Sequence, residues 1–138
     1  MIRMSEEAEA IMTERFGKDT VIALATSEGG IPYVRNVNAY YEDGAFYVIT
    51  YALSSKMKQL EKNPVAAIAG EWFSAHGKGV NLGWCGKKEN RGIAGKLRET
   101  FHEWIDNGHN DFDDENTIIL CVELTDGVLF SHGTRYEL

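Results

Sequence analysis

The feature that most limits the fold of this chain is a pair of alternating apolar runs, Tyr33 to Tyr41 and Ala45 to Tyr51, on either side of Asp43-Gly44. Asp-Gly supplies the positive φ angles of a tight hairpin turn, and strict alternation is the mark of a half-buried strand. The pair reads as a β-hairpin. Upstream, Thr20 to Ser27 is a continuous run of β-formers, and Glu28-Gly29-Gly30 turns it into the strand that opens at Pro32. Pro32 sits where a missing N–H costs least. The first three strands therefore form a meander. In the second of them Tyr33, Arg35, Val37, Ala39 and Tyr41 share one face, and Val34, Asn36, Asn38 and Tyr40 the other. Polar groups on both faces suit a strand that lines a polar groove, and an exposed edge strand has the same pattern.

After the hairpin, Ser54-Ser55-Lys56 opens a short helical pattern with Met57 and Leu60 on one side, closed by Asn63-Pro64. A serine-rich helix start offers free N–H groups, hydroxyl donors and the positive end of the dipole, all suited to an anion. Lysine in a first turn opposes that dipole, so Lys56 points to an anionic ligand; an N-cap serine followed by a solvated lysine would read the same way. Arg35, charged in the middle of an aromatic strand, strengthens the anion reading.

At 138 residues the chain has the length of one domain, 1–138, with a core that needs neither disulfides nor metal. The formal net charge of −7 argues against a general nucleic-acid or anionic-membrane surface, so a bound phosphate needs locally gathered cations: Arg35, Lys56 and Lys58. Cys85 and Cys121 have no metal-ligand spacing and read as reduced thiols, one buried and one exposed, in a cytoplasmic protein. No apolar run is long enough to span a bilayer. Residues 5–16 form an amphipathic helix capped by Ser5, with Ala8, Ile11, Met12 and Phe16 on its packed face and Gly17 as its stop.

Beyond Pro64, VAAIAGE is a strand of small residues. Gly77, Gly79 and Gly83 do not make a dinucleotide-binding fingerprint, and Gly86-Lys87-Lys88 is no P-loop; these glycines mark bulges and close backbone approach. Residues 90–107 carry Ile93, Leu97, Phe101, Trp104 and Ile105 at helical spacing, a surface helix with one packed face and Gly108 at its end. The acidic loop GHNDFDDEN, with His109, fails the calcium-loop test and reads as solvated, with turn-capping aspartates. No metal site is expected. Thr125-Asp126-Gly127 reads as a second Asp-Gly hairpin, adding two strands.

The ordered set YVRNVNAYY, Asp-Gly, AFYVIT, SSKMKQLEKNP and VAAIAG resembles the pyridoxamine 5′-phosphate oxidase-like FMN-binding superfamily, in particular its small general-stress-protein-like members. The resemblance runs from about Val21 to Phe130 and implies a mainly β fold with flanking helices (α+β): an antiparallel split β-barrel of six to eight strands. It further implies a homodimer with FMN in a groove between subunits. It places Arg35, Ser55 and Lys56 near the FMN phosphate, and Asn36, Val37, Asn38, Thr50 and Tyr51 along the ribityl chain and ring; Ser54, at the same helix start, is counted among the cofactor-binding residues. Trp72, Asn81 or Trp84 would face the partner subunit's flavin.

The family's namesake carries a further C-terminal segment with a substrate-binding arginine region. Arg135 is no counterpart, so pyridoxamine phosphate is not the expected substrate. No nucleophile elbow, transferable Cys-His signature or carboxylate pair is present, and no catalytic residue is assigned. The expectation is an FMN-dependent oxidoreductase that exchanges electrons with a small-molecule donor or acceptor. A non-catalytic flavin-binding stress-response module, or a haem- or F420-binding split barrel, are the alternatives.

Overall fold

A computed structural model describes residues 2–106 and 111–138. The chain runs α1 (Glu6–Phe16), β1 (Thr20–Glu28), β2 (Ile31–Glu42), β3 (Ala45–Tyr51), α2 (Ser55–Lys62), β4 (Val65–Gly70), β5 (Phe73–Trp84), α3 (Arg91–Thr100), β6 (Thr117–Ser131) and β7 (Thr134–Glu137). The strands form one antiparallel sheet in the order β3-β2-β1-β4-β5-β6-β7, and an additional β3–β6 pairing closes its first six strands into a barrel. β7 hangs outside the ring as a hairpin partner of β6.

The opening in this barrel follows from an uneven division of β2. Its residues from Ile31 to Ala39 pair with β1, whereas only Tyr40, Tyr41 and Glu42 pair with β3. β3 then leaves β2 and pairs along its whole length with β6, from Ala45↔Glu123 to Tyr51↔Thr117. Helix α2 packs on β1 and β5 and reaches β2 and β3 through side-chain bonds. Its Met57 and Leu60 join the barrel core with Ile22, Leu24, Phe46, Val48, Ile68 and Leu120. Its approach needs a glycine: a Cβ on Gly79 of β5 would stand 2.9 Å from a Leu60 methyl.

A second apolar cluster lies outside the barrel, where Leu97 of α3, with Phe101 and Ile105 beyond it, covers Ile119, and Tyr40, Tyr47 and Ile49 pack alongside. The helix expected over 90–107 is shorter: Lys88–Asn90 is a 3-10 turn, α3 stops at Thr100, and turns follow to Asp106. Phe101 and Ile105 still reach the cluster from those turns, so the spacing identified the packed residues but overran the helix. Asn107, Gly108 and His109 lie outside the described residues.

Three turns give the sequence logic of the sheet. Asp43-Gly44 (φ 46° and 82°) and Gly29-Gly30 (57° and 81°) make the expected two-residue turns. The hairpin expected at Asp126-Gly127 does not form. β6 runs straight through it, and the turn lies instead at His132-Gly133 (48° and 78°), where Ser131 pairs with Thr134. Gly127 serves proximity, because a Cβ there would stand 3.0 Å from Ala75 Cβ and 3.1 Å from the Ser74 carbonyl of β5. The surplus residue is absorbed as a bulge: His76 pairs with Asp126 and Gly77 with Leu124, leaving Thr125 over.

Both cysteines are free and buried, which corrects the expectation of one exposed thiol. Burial pushes each thiol up to about 11. The aspartates of the 111–116 loop cap turns, with Asp111 Oδ1 accepting from Asp113 N and Asp114 Oδ1 from Asn116 N. No described helix is long and apolar enough to cross a membrane.

Candidate functional site: a two-cation mouth between diverging strands

Near the β2–β3 opening lie two cations, Arg35 and Lys56, that pair with no carboxylate among the described residues. Arg35, on the inner face of β2, reaches across β1 and α2. Its guanidinium donates to Leu24 O (3.3 Å), Thr26 Oγ1 (2.8 Å) and Gln59 Oε1 (3.4 Å). Lys56, in the first turn of α2, donates from Nζ to Thr50 Oγ1 at 2.7 Å on the inner face of β3. Thus α2 is tied to both strands that separate. Neither cation takes part in an ion pair among the described residues.

Desolvation by burial lowers the pKa of Lys56, and the nearby positive charge of Arg35 lowers it further; burial also lowers that of Arg35. Two half-buried cations close enough to repel are an unfavourable arrangement unless an anion joins them. Because the folded-state pKa of Lys56 lies below its ordinary 10.5, the folded chain binds that proton more weakly than the unfolded chain. The shift therefore costs stability at neutral pH, and the cost fades as pH rises toward 10.5. Urea unfolding at about pH 7 and about pH 9.5 should show the unliganded protein gaining stability relative to Lys56→Met at the higher pH. A constant difference between the two proteins would remove the repulsion from the account.

Ser54 completes the mouth. It is the N-cap of α2 (φ −68°, ψ 159°), yet its hydroxyl makes no capping bond, and Oγ is buried without a hydrogen-bond partner. Ser5 of α1, by contrast, caps in the ordinary way by accepting from Ala8 N at 3.1 Å. A buried hydroxyl left unpaired costs about 1–3 kcal/mol, and Ser54 leaves this one at the N-terminus of the helix whose first turn carries Lys56. Ser55 next to it is exposed.

The remaining residues singled out in the sequence are distributed differently. Val37 packs against the barrel core on the same face as Arg35. Asn36 and Asn38 alternate to the outer face, where Asn38 Nδ2 donates to Asp19 Oδ1 at 2.9 Å and Asp19 Oδ2 accepts from Trp104 Nε1. Tyr51 is exposed at the end of β3. Trp72 stands at the far end of the barrel from α2, in the β4–β5 turn, so within one chain it does not meet Arg35 or Lys56. It is 70% exposed with φ at 52°, a left-handed conformation that a bulky side chain rarely adopts. Arg15 steadies that turn by donating to the carbonyls of Glu71 and Phe130. Asn81 is exposed, and Trp84 donates from Nε1 to the Phe112 carbonyl.

Thr26 and Gln59, which hold the guanidinium, were not singled out from the sequence. Thr26 sits inside an apolar strand run, and Gln59 is one polar residue among many in KMKQLEK. The available signal was position: Gln59 lies between Met57 and Leu60 on the packed side of α2, and it is 5% exposed.

This six-stranded antiparallel split barrel is a fold shared with solved structures, among them a putative pyridoxamine 5′-phosphate oxidase of Listeria innocua (TM-score 0.62, 12% identity, covering 91% of this chain and 97% of that one). Solved structures that share it include general stress protein 26 of Bacillus anthracis (TM-score 0.69, 15% identity, covering 96% of this chain and 99% of that one). An FAD-binding protein of Mesorhizobium loti matches at TM-score 0.65 and 16% identity over 98% and 96%. A heme binding protein of Mycobacterium smegmatis matches at 0.70 and 14% over all of this chain and 59% of its own. At these identities the likeness is one of fold. No protein-family model matches the sequence, and no curated protein matches it.

Proposed function

We propose that this chain binds FMN and acts as a flavin-dependent oxidoreductase that exchanges electrons with a small-molecule donor and acceptor. The carrying observation is that Arg35 and Lys56 lie close enough to repel with no carboxylate partner among the described residues, while Lys56 shares the N-terminus of α2 with the unpartnered Ser54 hydroxyl. A terminal phosphate answers all three: it neutralises both cations, accepts from the hydroxyl and meets the helix dipole. Ser55 and the first N–H groups of α2 would take further phosphate oxygens. The backbone of Asn36, Val37 and Asn38, with Thr50 and Tyr51, would flank the ribityl chain and ring.

FMN, when bound, supplies reversible two-electron and one-electron redox chemistry. The chain's own contribution is to hold the phosphate, fix the ring against β2 and β3, and keep water from the barrel side through Val37 and Met57. A second copy of the chain would complete the groove and supply Trp72 as an aromatic wall. The deciding measurement is the visible spectrum of the purified protein after incubation with excess FMN and removal of free ligand, with its mass in solution. Retained flavin absorbance at about one FMN per chain, on a species of about twice the chain mass, is the expected result. A protein that ignores FMN, or shows a haem Soret band instead, overturns the proposal.

A further inference from the structure

Among the described residues the Arg35 guanidinium bonds only to neutral acceptors: one backbone carbonyl, one hydroxyl and one amide oxygen. Gln59 is the centre of that arrangement. Its Oε1 accepts from both Arg35 Nη2 and Thr26 Oγ1, which in turn accepts from Arg35 Nη1, so the three side chains close a ring. Gln59 is 5% exposed and Thr26 3%, a large investment of buried polar groups in the placing of one cation. A glutamate at position 59 would present a carboxylate to the same guanidinium and form an ion pair that Arg35 does not make among the described residues. It would also relieve the Arg35–Lys56 repulsion. A carboxylate at this buried position would also carry a desolvation cost; the amide keeps Arg35 fixed without neutralising it.

We infer that Gln59, seconded by Thr26, is the positioning residue that sets selectivity for a phosphate-bearing flavin over the same flavin without phosphate. The inference rests on the FMN reading and goes beyond it, because it assigns discrimination to a residue that need not touch the ligand. Its physical basis is field strength. An Arg already paired to a carboxylate offers a dianion far less than one bonded to uncharged oxygens.

The test compares FMN with riboflavin, which lacks the phosphate, by fluorescence titration of the wild type, Gln59→Glu and Gln59→Met, together with the unliganded melting temperature of each. Gln59→Glu should weaken FMN by about tenfold or more and leave riboflavin affinity unchanged, with the unliganded protein still melting in one cooperative transition. Gln59→Met, which frees the guanidinium without neutralising it, should lose less FMN affinity than Gln59→Glu. Unchanged riboflavin binding reports that the groove is intact, so a general packing defect would show as a parallel loss of both ligands. An unaltered FMN-to-riboflavin ratio in Gln59→Glu overturns the assignment of Gln59 while leaving FMN binding in place, as does a parallel loss. Wild-type protein that binds neither flavin overturns the cofactor reading itself, and this inference with it.

Discussion

Replacing Arg35 and Lys56 together by alanine should abolish FMN binding while leaving the fold standing. Each cation can make a charge-assisted bond to phosphate, worth roughly 1.5–3 kcal/mol, so losing both should cost about two to four powers of ten in Kd. The structural cost is small for a particular reason. Thr26 Oγ1 and Gln59 Oε1 already bond each other and stay satisfied when the guanidinium goes. Thr50, which is half-buried, can turn to water when the ammonium goes. Removing two repelling charges offsets the lost contacts, and the unliganded variant should unfold within about 1 kcal/mol of the parent. Retention of full FMN affinity, measured by fluorescence titration, would locate the phosphate elsewhere. A collapsed thermal transition would show instead that the cations build the fold.

Phe46→Ala should produce the largest loss of stability. Phe46 is fully buried. Its ring lies 5.6 Å from Phe16, 5.3 Å from Tyr41 and 5.9 Å from Phe73, so one side chain joins α1, β2, β3 and β5. A large-to-small change at such a point removes the transfer free energy and leaves a cavity that four anchored elements cannot collapse into; about 3–5 kcal/mol is expected. For a domain of this size that is a fall in melting temperature of about 10 °C or more. A change of less than about 1 kcal/mol in urea unfolding would mean that the ring cluster does not hold these elements together.

Local turn chemistry made the fold legible where it acted alone. Asp43-Gly44 and Gly29-Gly30 both turn as their residues require. Asp126-Gly127 carries the same signal and does not turn, because β5 continues to pair on both sides of it and the glycine is needed for the close approach of Ala75 and Ser74. A dipeptide cannot report what lies across the sheet. His132-Gly133 turns with a histidine, which tolerates the left-handed region but is a weaker turn signal than Asp or Asn, where β7 folds back on β6. The site divides in the same way. Arg35 and Lys56 were visible because charge among apolar or dipole-opposed positions is anomalous in one dimension. Thr26 and Gln59 became visible only when β1, β2 and α2 were brought together, since a threonine in a strand and a glutamine on a helix break no local rule. The orphaned state of the Ser54 hydroxyl is likewise a property of its three-dimensional surroundings.

The closure of the ring by β6 has a consequence for synthesis. Strands β1 to β5 follow one another early in the chain and can pair as soon as they leave the ribosome, but until Thr117–Leu129 emerges they form an open sheet. Its two free borders are then β3, with Phe46 and Val48, and β5, with Phe73 and Ala75. Both borders display unpaired backbone and a bare apolar face, the surface on which nascent chains stick to one another. A ribosome paused between β5 and β6, while translating the α3 excursion, would therefore hold this protein at its most aggregation-prone moment, and that interval is where a chaperone has the most to protect.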